Sequence, residues 1–216
     1  MYSVTYAPSL PRTLISLAIC AALVVLCYFA VDPAVAFWID RENFRRFAIF
    51  EYFTQLPNLI VALSVLYYLF FACTYARNRA SRRPLLAVAN SVAIAIFLKD
   101  ALKIVFGRYW PATWAQQNPS LLHDHAYGFH PFHAGVAYQS FPSGHTTVAV
   151  AAMTAIWVGF PRWRWLAVLA ALLVVSGLLA EDYHFVGDCI AGAWLGATVA
   201  LYTTANARVR RTQIHL

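Results

Sequence analysis

Six apolar runs, the last three of them short or interrupted, occupy about half of the 216-residue chain. A helix needs roughly 20 apolar residues to span the hydrocarbon core. The runs cover residues 14–31, 59–75, 85–106, 146–158 (or from 143), 166–180 and 185–203. Such a chain has little left from which to build a water-soluble core. Its residues are 61% hydrophobic and only 12% charged, against roughly half apolar and a quarter charged in a soluble domain. The expected fold is all-α: a polytopic membrane protein with six transmembrane helices. It forms a single membrane-embedded domain over residues 1–216, with no second soluble domain. The first run is longer than the core of a signal peptide and only Arg12 precedes it as a positive charge. We therefore expect it to be retained, although Ala34-Val35-Ala36 resembles a cleavage site.

The charges set the orientation. Fourteen arginines and two lysines outweigh nine acids, for a formal net charge of +7. On a soluble domain that balance would suggest nucleic acid. Here the arginines sit between apolar runs, at 77, 79, 82 and 83, at 162 and 164, and at 208, 210 and 211. That is the distribution of cytoplasmic loops, and no nucleic-acid partner is expected. Both termini then lie in the cytoplasm, and segments 32–58, 107–142 and 181–184 face outward. Arg41, Arg45 and Arg46 run against the rule, but Asp40, Glu42 and Glu51 accompany them. Segment 33–55 alternates aromatic and charged residues, as an outward-facing interfacial helix between the first two spans would. The four cysteines show neither CxxC nor zinc spacing and are expected to be small buried hydrophobes.

In this topology three polar groupings fall at outward span ends, where buried polar groups usually mark function. His184 and Asp188 are four apart and share a helical face. The carboxylate can fix the imidazole tautomer and leave the other nitrogen as a base or nucleophile. Pro142-Ser143-Gly144-His145 suits a helix start, with Ser143 as N-cap. Its free N–H groups bind anions, Gly144 admits close approach, and His145 stands ready to donate a proton. Lys103 and Arg108 supply a point charge and a planar fork for phosphate oxygens. Lys99 lies one turn below Lys103. The motif-bearing half is about 99–192.

In order, Lys103-x4-Gly107-Arg108-x2-Pro111, then PSGH at 142–145, then His184-x3-Asp188 resemble the type 2 phosphatidic acid phosphatase family. This is the membrane branch of the superfamily that includes vanadium haloperoxidases; the soluble haloperoxidases themselves do not fit a six-span chain. The family pattern is K-x6-R-P, PSGH and S-R-x5-H-x3-D. The resemblance implies hydrolysis of a lipid phosphomonoester or diphosphate through a phosphohistidine. His184 would be the nucleophile, Asp188 its orienting acid and His145 the proton donor. Lys103, Arg108, Ser143 and Gly144 would hold the phosphate, with no metal or other cofactor. The expected partners are the bilayer and a membrane lipid phosphate, with no obligate protein partner. The expected setting is the inner membrane of a bacterium, with the site facing the periplasm.

The chain departs from the pattern twice. Trp110 stands where the family has its first arginine, and Gly177 and Leu178 stand where it has Ser-Arg. Arg108 is the expected substitute, with Lys99, His130 and His133 as possible auxiliaries. His123 and His125 suit a solvated loop, and His215 belongs to the tail. Two other functions use the same residues: a lipid phosphotransferase with the same intermediate, and a non-catalytic lipid-phosphate binding or transport protein.

Overall fold

The computed structural model describes residues 8–74, 79–114 and 116–212. Among these residues the protein is all helix, with a few isolated backbone bridges in one long loop. The major helices are α1 (Leu10–Leu26), α2 (Asp32–Glu42), α3 (Ile49–Cys73), α4 (Arg79–Phe106), α5 (Leu121–Asp124), α6 (Gly144–Gly159), α7 (Arg164–Ala180) and α8 (Val186–Thr212). His215 lies outside the described residues, as does Arg77.

Five helical segments are long and apolar enough to cross a membrane: Leu10–Glu42, Ile49–Cys73, Pro84–Phe106, Pro161–Ala180 and Val186–Ala205. The sixth expected span is the shorter Gly144–Gly159. It is the most enclosed element of its size, with Ala149, Ala151, Ala152 and Ala155 all buried. It packs chiefly on α8 and α4. Small residues are required on this seam. A Cβ on Gly192 would lie 2.6 Å from the Ser143 carbonyl oxygen, and one on Gly196 would collide with that of Thr147. This Gly-x3-Gly spacing draws two helix backbones together, the packing that drives association in lipid. Around this centre, large apolar side chains such as Leu14, Phe29, Leu66, Phe70, Phe97 and Leu172 point outward, as suits helices solvated by acyl chains.

The separate interfacial helix expected over 33–55 is not formed. Instead a π-helical turn, Cys27–Val31, joins α1 to α2 in one continuous rod ending at Glu42. Asn43 then adopts a left-handed conformation, a short turn Phe44–Arg46 follows, and α3 already begins at Ile49. The alternation of aromatics and charges was therefore the sum of one helix end and the next helix start. The cysteine expectation also needs one correction: Cys20, Cys27 and Cys189 are buried, but Cys73 is exposed.

The loop 107–143 folds over one end of the bundle. Gly107, at φ 56, turns the chain sharply off α4. A side chain there would overlap the His130 carbonyl, so only glycine fits. Arg108 pairs through its backbone with Tyr138 and Ser140, and Trp110 with Leu121. The loop thereby brings the ends of α4, α6 and α8 together.

Candidate active site

The three groupings converge. His184 sits in the turn after α7, two residues before α8 begins, rather than on the helix. Its Nδ1 lies 3.6 Å from Oδ2 of Asp188, leaving Nε2 free of that carboxylate. Asp188 occupies the first turn of α8 and is fully buried. Oδ2 accepts from the Phe185 N–H at 3.1 Å and from the Ser140 hydroxyl at 2.6 Å. The first of these is the reach-back of an acid to the N-cap amide, which closes a helix start. The same carboxylate therefore builds the helix end and faces the imidazole. Burial pushes the His184 imidazole below its ordinary pKa, against the upward pull of Asp188.

His145 enters from the first turn of α6, with its ring centroid 6.1 Å from that of His184. Ser143 is the N-cap. Its Oγ accepts from the Thr146 amide at 3.3 Å and donates to Thr146 Oγ1 at 2.9 Å, and the residue is fully buried. The Ser143 hydroxyl thus closes the helix start. The N–H groups of Gly144 and His145 precede the first intrahelical bonds. The Lys99 stem lies over Gly144: a Cβ there would be 3.1 Å from Cδ and 3.5 Å from Nζ. Lys99 also pairs with Asp100 at 2.6 Å. Lys103 Nζ stands 5.6 Å from the Trp110 ring centroid, and that ring stands 5.3 Å from His184.

Arg108, which the sequence suggested as a phosphate ligand, is already engaged by protein groups. It is fully buried, with Nη1 donating to Asp188 Oδ1 at 2.5 Å. Its Nη2 donates to Asp32 Oδ2 at 2.7 Å and to the Tyr127 hydroxyl at 3.0 Å. Rings of Tyr28, Tyr127, Phe129 and Phe185 enclose the guanidinium at 4.3–5.5 Å. Burial alone would lower its pKa, but Asp188 and Asp32 outweigh burial and raise it, so the charge is permanent. The fork binds two carboxylates.

The other departures also have structural reasons. Leu178 is fully buried against Ala149, Val174 and Cys189, so this position points into the apolar core. A Cβ on Gly177 would lie 2.7 Å from the Phe50 carbonyl oxygen, which keeps this position a glycine between α7 and α3. Trp110 anchors its indole N–H on the Val136 carbonyl at 2.6 Å and walls His184. His130 and His133 pack against Tyr109, Tyr138 and each other, not against His184. His123 and His125 are exposed on the loop.

Sequence reasoning missed Asp32 and Ser140. Asp32 is only 1% exposed and accepts from the Gly187 amide at 2.9 Å as well as from Arg108. An acid closing an apolar run, followed directly by proline, was the available signal.

The profile of the PAP2 superfamily matches residues 84–211, and the chain is a member of that superfamily. It is 32% identical over 114 residues to a lipid A 1-phosphatase of Rhizobium johnstonii, which is 52% of this chain and 43% of the relative. It is 31% identical over 115 residues to the lipid A 1-phosphatase of Rhizobium etli, or 53% and 46% of the two chains. The match spans less than half the length of these relatives. In fold the chain is similar to a crystal structure of a transmembrane PAP2-type phosphatidylglycerolphosphate phosphatase from Bacillus subtilis. The TM-score is 0.53 at 16% identity, over 92% of this chain and 96% of that one.

Proposed function

We propose that the chain is a lipid-phosphate phosphatase acting at the outer face of a bacterial inner membrane through a phosphohistidine. The observation that carries this is the convergence of His184, Asp188 and His145 at one end of the bundle, with Lys99 and Lys103 beside them. Nε2 of His184 attacks phosphorus, and the bond from phosphorus to the lipid oxygen breaks. His145, as an imidazolium once the anionic phosphate is bound beside it, gives one proton to that oxygen and becomes neutral. Water, deprotonated by His145, then attacks phosphorus; the P–N bond breaks, and inorganic phosphate leaves with His184 restored. Two easier steps replace one hard one. Asp188 stabilises the imidazolium as it forms.

With Arg108 bound to acids, the phosphate oxygens fall to Lys103, Lys99 and the amides opening α6. These are preorganised donors of the kind that stabilise developing charge. The lysines sit on α4, a helix with outward apolar side chains, so a lipid can keep its tails in the bilayer while its phosphate enters. The arginine-rich segments favour cytoplasmic termini and a periplasmic site. The relatives make a lipid A 1-phosphate the first substrate to try, with phosphatidylglycerolphosphate, phosphatidate and undecaprenyl diphosphate beside it.

The test is phosphate release from this panel by the full chain in detergent, with His184→Ala and vanadate as controls. The expected result is turnover with at least one lipid, abolished by His184→Ala and inhibited by vanadate. Phosphate appearing on a second lipid instead of in solution would make the chain a transferase. Lipid binding with no phosphate released would overturn the enzymatic reading.

A further inference from the structure

We propose that Asp32, from the first helical rod, is a positioning residue for the reaction, acting on His184 through Arg108 and Asp188. The proposal rests on the phosphatase reading for its kinetic readout, but not for its physical one.

The connection runs through two buried ion pairs and one longer approach to the imidazole. Asp32 Oδ2 accepts from Arg108 Nη2 at 2.7 Å, and Arg108 Nη1 reaches Asp188 Oδ1 at 2.5 Å. The opposite oxygen of Asp188 faces His184 Nδ1 at 3.6 Å. All three charged side chains are fully buried. A buried arginine between two carboxylates leaves a net charge of −1 on the Asp188 side of His184. If Asp32 were neutral, that net charge would be zero, and the imidazolium formed during phosphoryl transfer would lose a supporting charge.

Geometry makes Asp32 more than a counterion. Its Oδ1 accepts from the Gly187 amide, one residue before Asp188. A Cβ on Gly187 would lie 3.0 Å from Asp32 Oδ2 and 3.6 Å from Arg108 Nη1, so the α8 start is fitted closely to this pair. The residue stands directly after the π-helical turn Cys27–Val31, a feature often found at functional sites. It also lies outside the segment 84–211 matched by the superfamily profile. The N-terminal rod thus supplies a group to the relay.

Other charges face His184 from each neighbouring element. His145 comes from α6, Lys103 from α4 beyond the Trp110 ring, and Lys99 from one turn below. Asp182, two residues before His184, pairs with Arg45 instead. Substituting Asp32 leaves all of these in place, so a change in His184 titration reports the relay.

The experiment uses the full chain in detergent with ¹³C-labelled histidine, the His184 signal being assigned by its loss in His184→Gln. Its titration is followed by NMR in wild type, Asp32→Asn and the doubly neutral Asp32→Asn/Arg108→Gln. With one negative charge removed, the His184 midpoint is expected to fall, by about one pH unit. In the double variant, which restores the net −1, it is expected to return toward the wild-type value. On an active lipid, kcat of Asp32→Asn is expected to drop roughly 10- to 100-fold with KM little changed. That is the scale seen when the outer partner of a metal-ligating histidine is removed. The acid limb of the pH profile should move down with the NMR midpoint. A folded Asp32→Asn with a wild-type His184 midpoint and pH profile overturns the proposal, even if its thermal stability falls. If Asp32→Asn does not fold, Asp32→Glu replaces it: lower kcat at unchanged KM and melting temperature supports the relay, and wild-type kcat overturns it. Absence of turnover in the wild type would strike the phosphatase reading alone, since the titration needs no substrate.

Discussion

The indole of Trp110 lies 5.3 Å from the imidazole of His184, centroid to centroid, with the two planes inclined by 38°. This is the position at which the superfamily pattern has an arginine. A flat apolar wall there limits the rotation of the imidazole about the axis set by Asp188. Trp110→Phe should keep most of the turnover, while Trp110→Ala should lower kcat by roughly 10-fold or more, because misorientation of a nucleophile is costly. Steady-state phosphate release at saturating lipid checks this.

Arg108 is predicted to be a stability residue before it is anything else. Arg108→Gln leaves Asp32 and Asp188 buried without a cation between them. Removing one partner of a buried ion pair costs about 3–5 kcal/mol. Thermal unfolding in detergent should show a large drop for this variant. The drop should be partly relieved when Asp32→Asn is added, because one uncompensated charge is then gone.

The lysines are predicted to share the phosphate. Lys103→Met and Lys99→Met should each weaken vanadate inhibition, Lys103 more strongly because it packs on the Trp110 ring that also faces His184. Loss of one charge-assisted bond corresponds to roughly 1.5–3 kcal/mol, or about 10- to 100-fold in the inhibition constant. Equal inhibition of wild type and Lys103→Met would remove that lysine from the clamp.

Asp182 gives a pH prediction. Burial pushes its carboxyl up to about 7, against the opposing pull of Arg45 at 3.3 Å. The folded form therefore holds the proton more tightly than the unfolded chain, whose aspartates titrate near 4. Its contribution to stability is fully present below about pH 4 and is lost as pH rises through about 7. Asp182→Asn should flatten the dependence of melting temperature on pH between those values.

Restoring the family arginine at position 178 should fail. Leu178 has no exposed surface and lies in an apolar cluster, so Leu178→Arg would bury a charge with no partner prepared for it. The expected outcome is poor folding rather than improved activity, measured by yield of monodisperse protein and by melting temperature.

Much of this site was legible in the sequence, for identifiable reasons. PSGH carries its capping chemistry locally, so Ser143 closing α6 followed from residue type, whereas His184 meets Asp188 from the turn before α8 and not along the shared helical face that the spacing suggested. Arg108 was misassigned because its role depends on Asp32, seventy-six positions away, and no local pattern joins the two. The interfacial helix was misread because amphipathic alternation does not show where one helix stops. There the break came from Asn43 turning left-handed, within a stretch of uniform character. The short α6 was harder to recognise as a span because its alanines and threonines serve close contact with α8 rather than contact with lipid.

The carboxylate at position 32 also bears on how such chains can be recombined. The segment carrying the recognisable motifs begins well after it, so grafting that segment onto a foreign N-terminal portion would carry over the arginine without its second acid. A working chimera would need an aspartate delivered to the same spot by the incoming rod. The boundary of the transferable unit is therefore drawn by one buried charge, upstream of every motif.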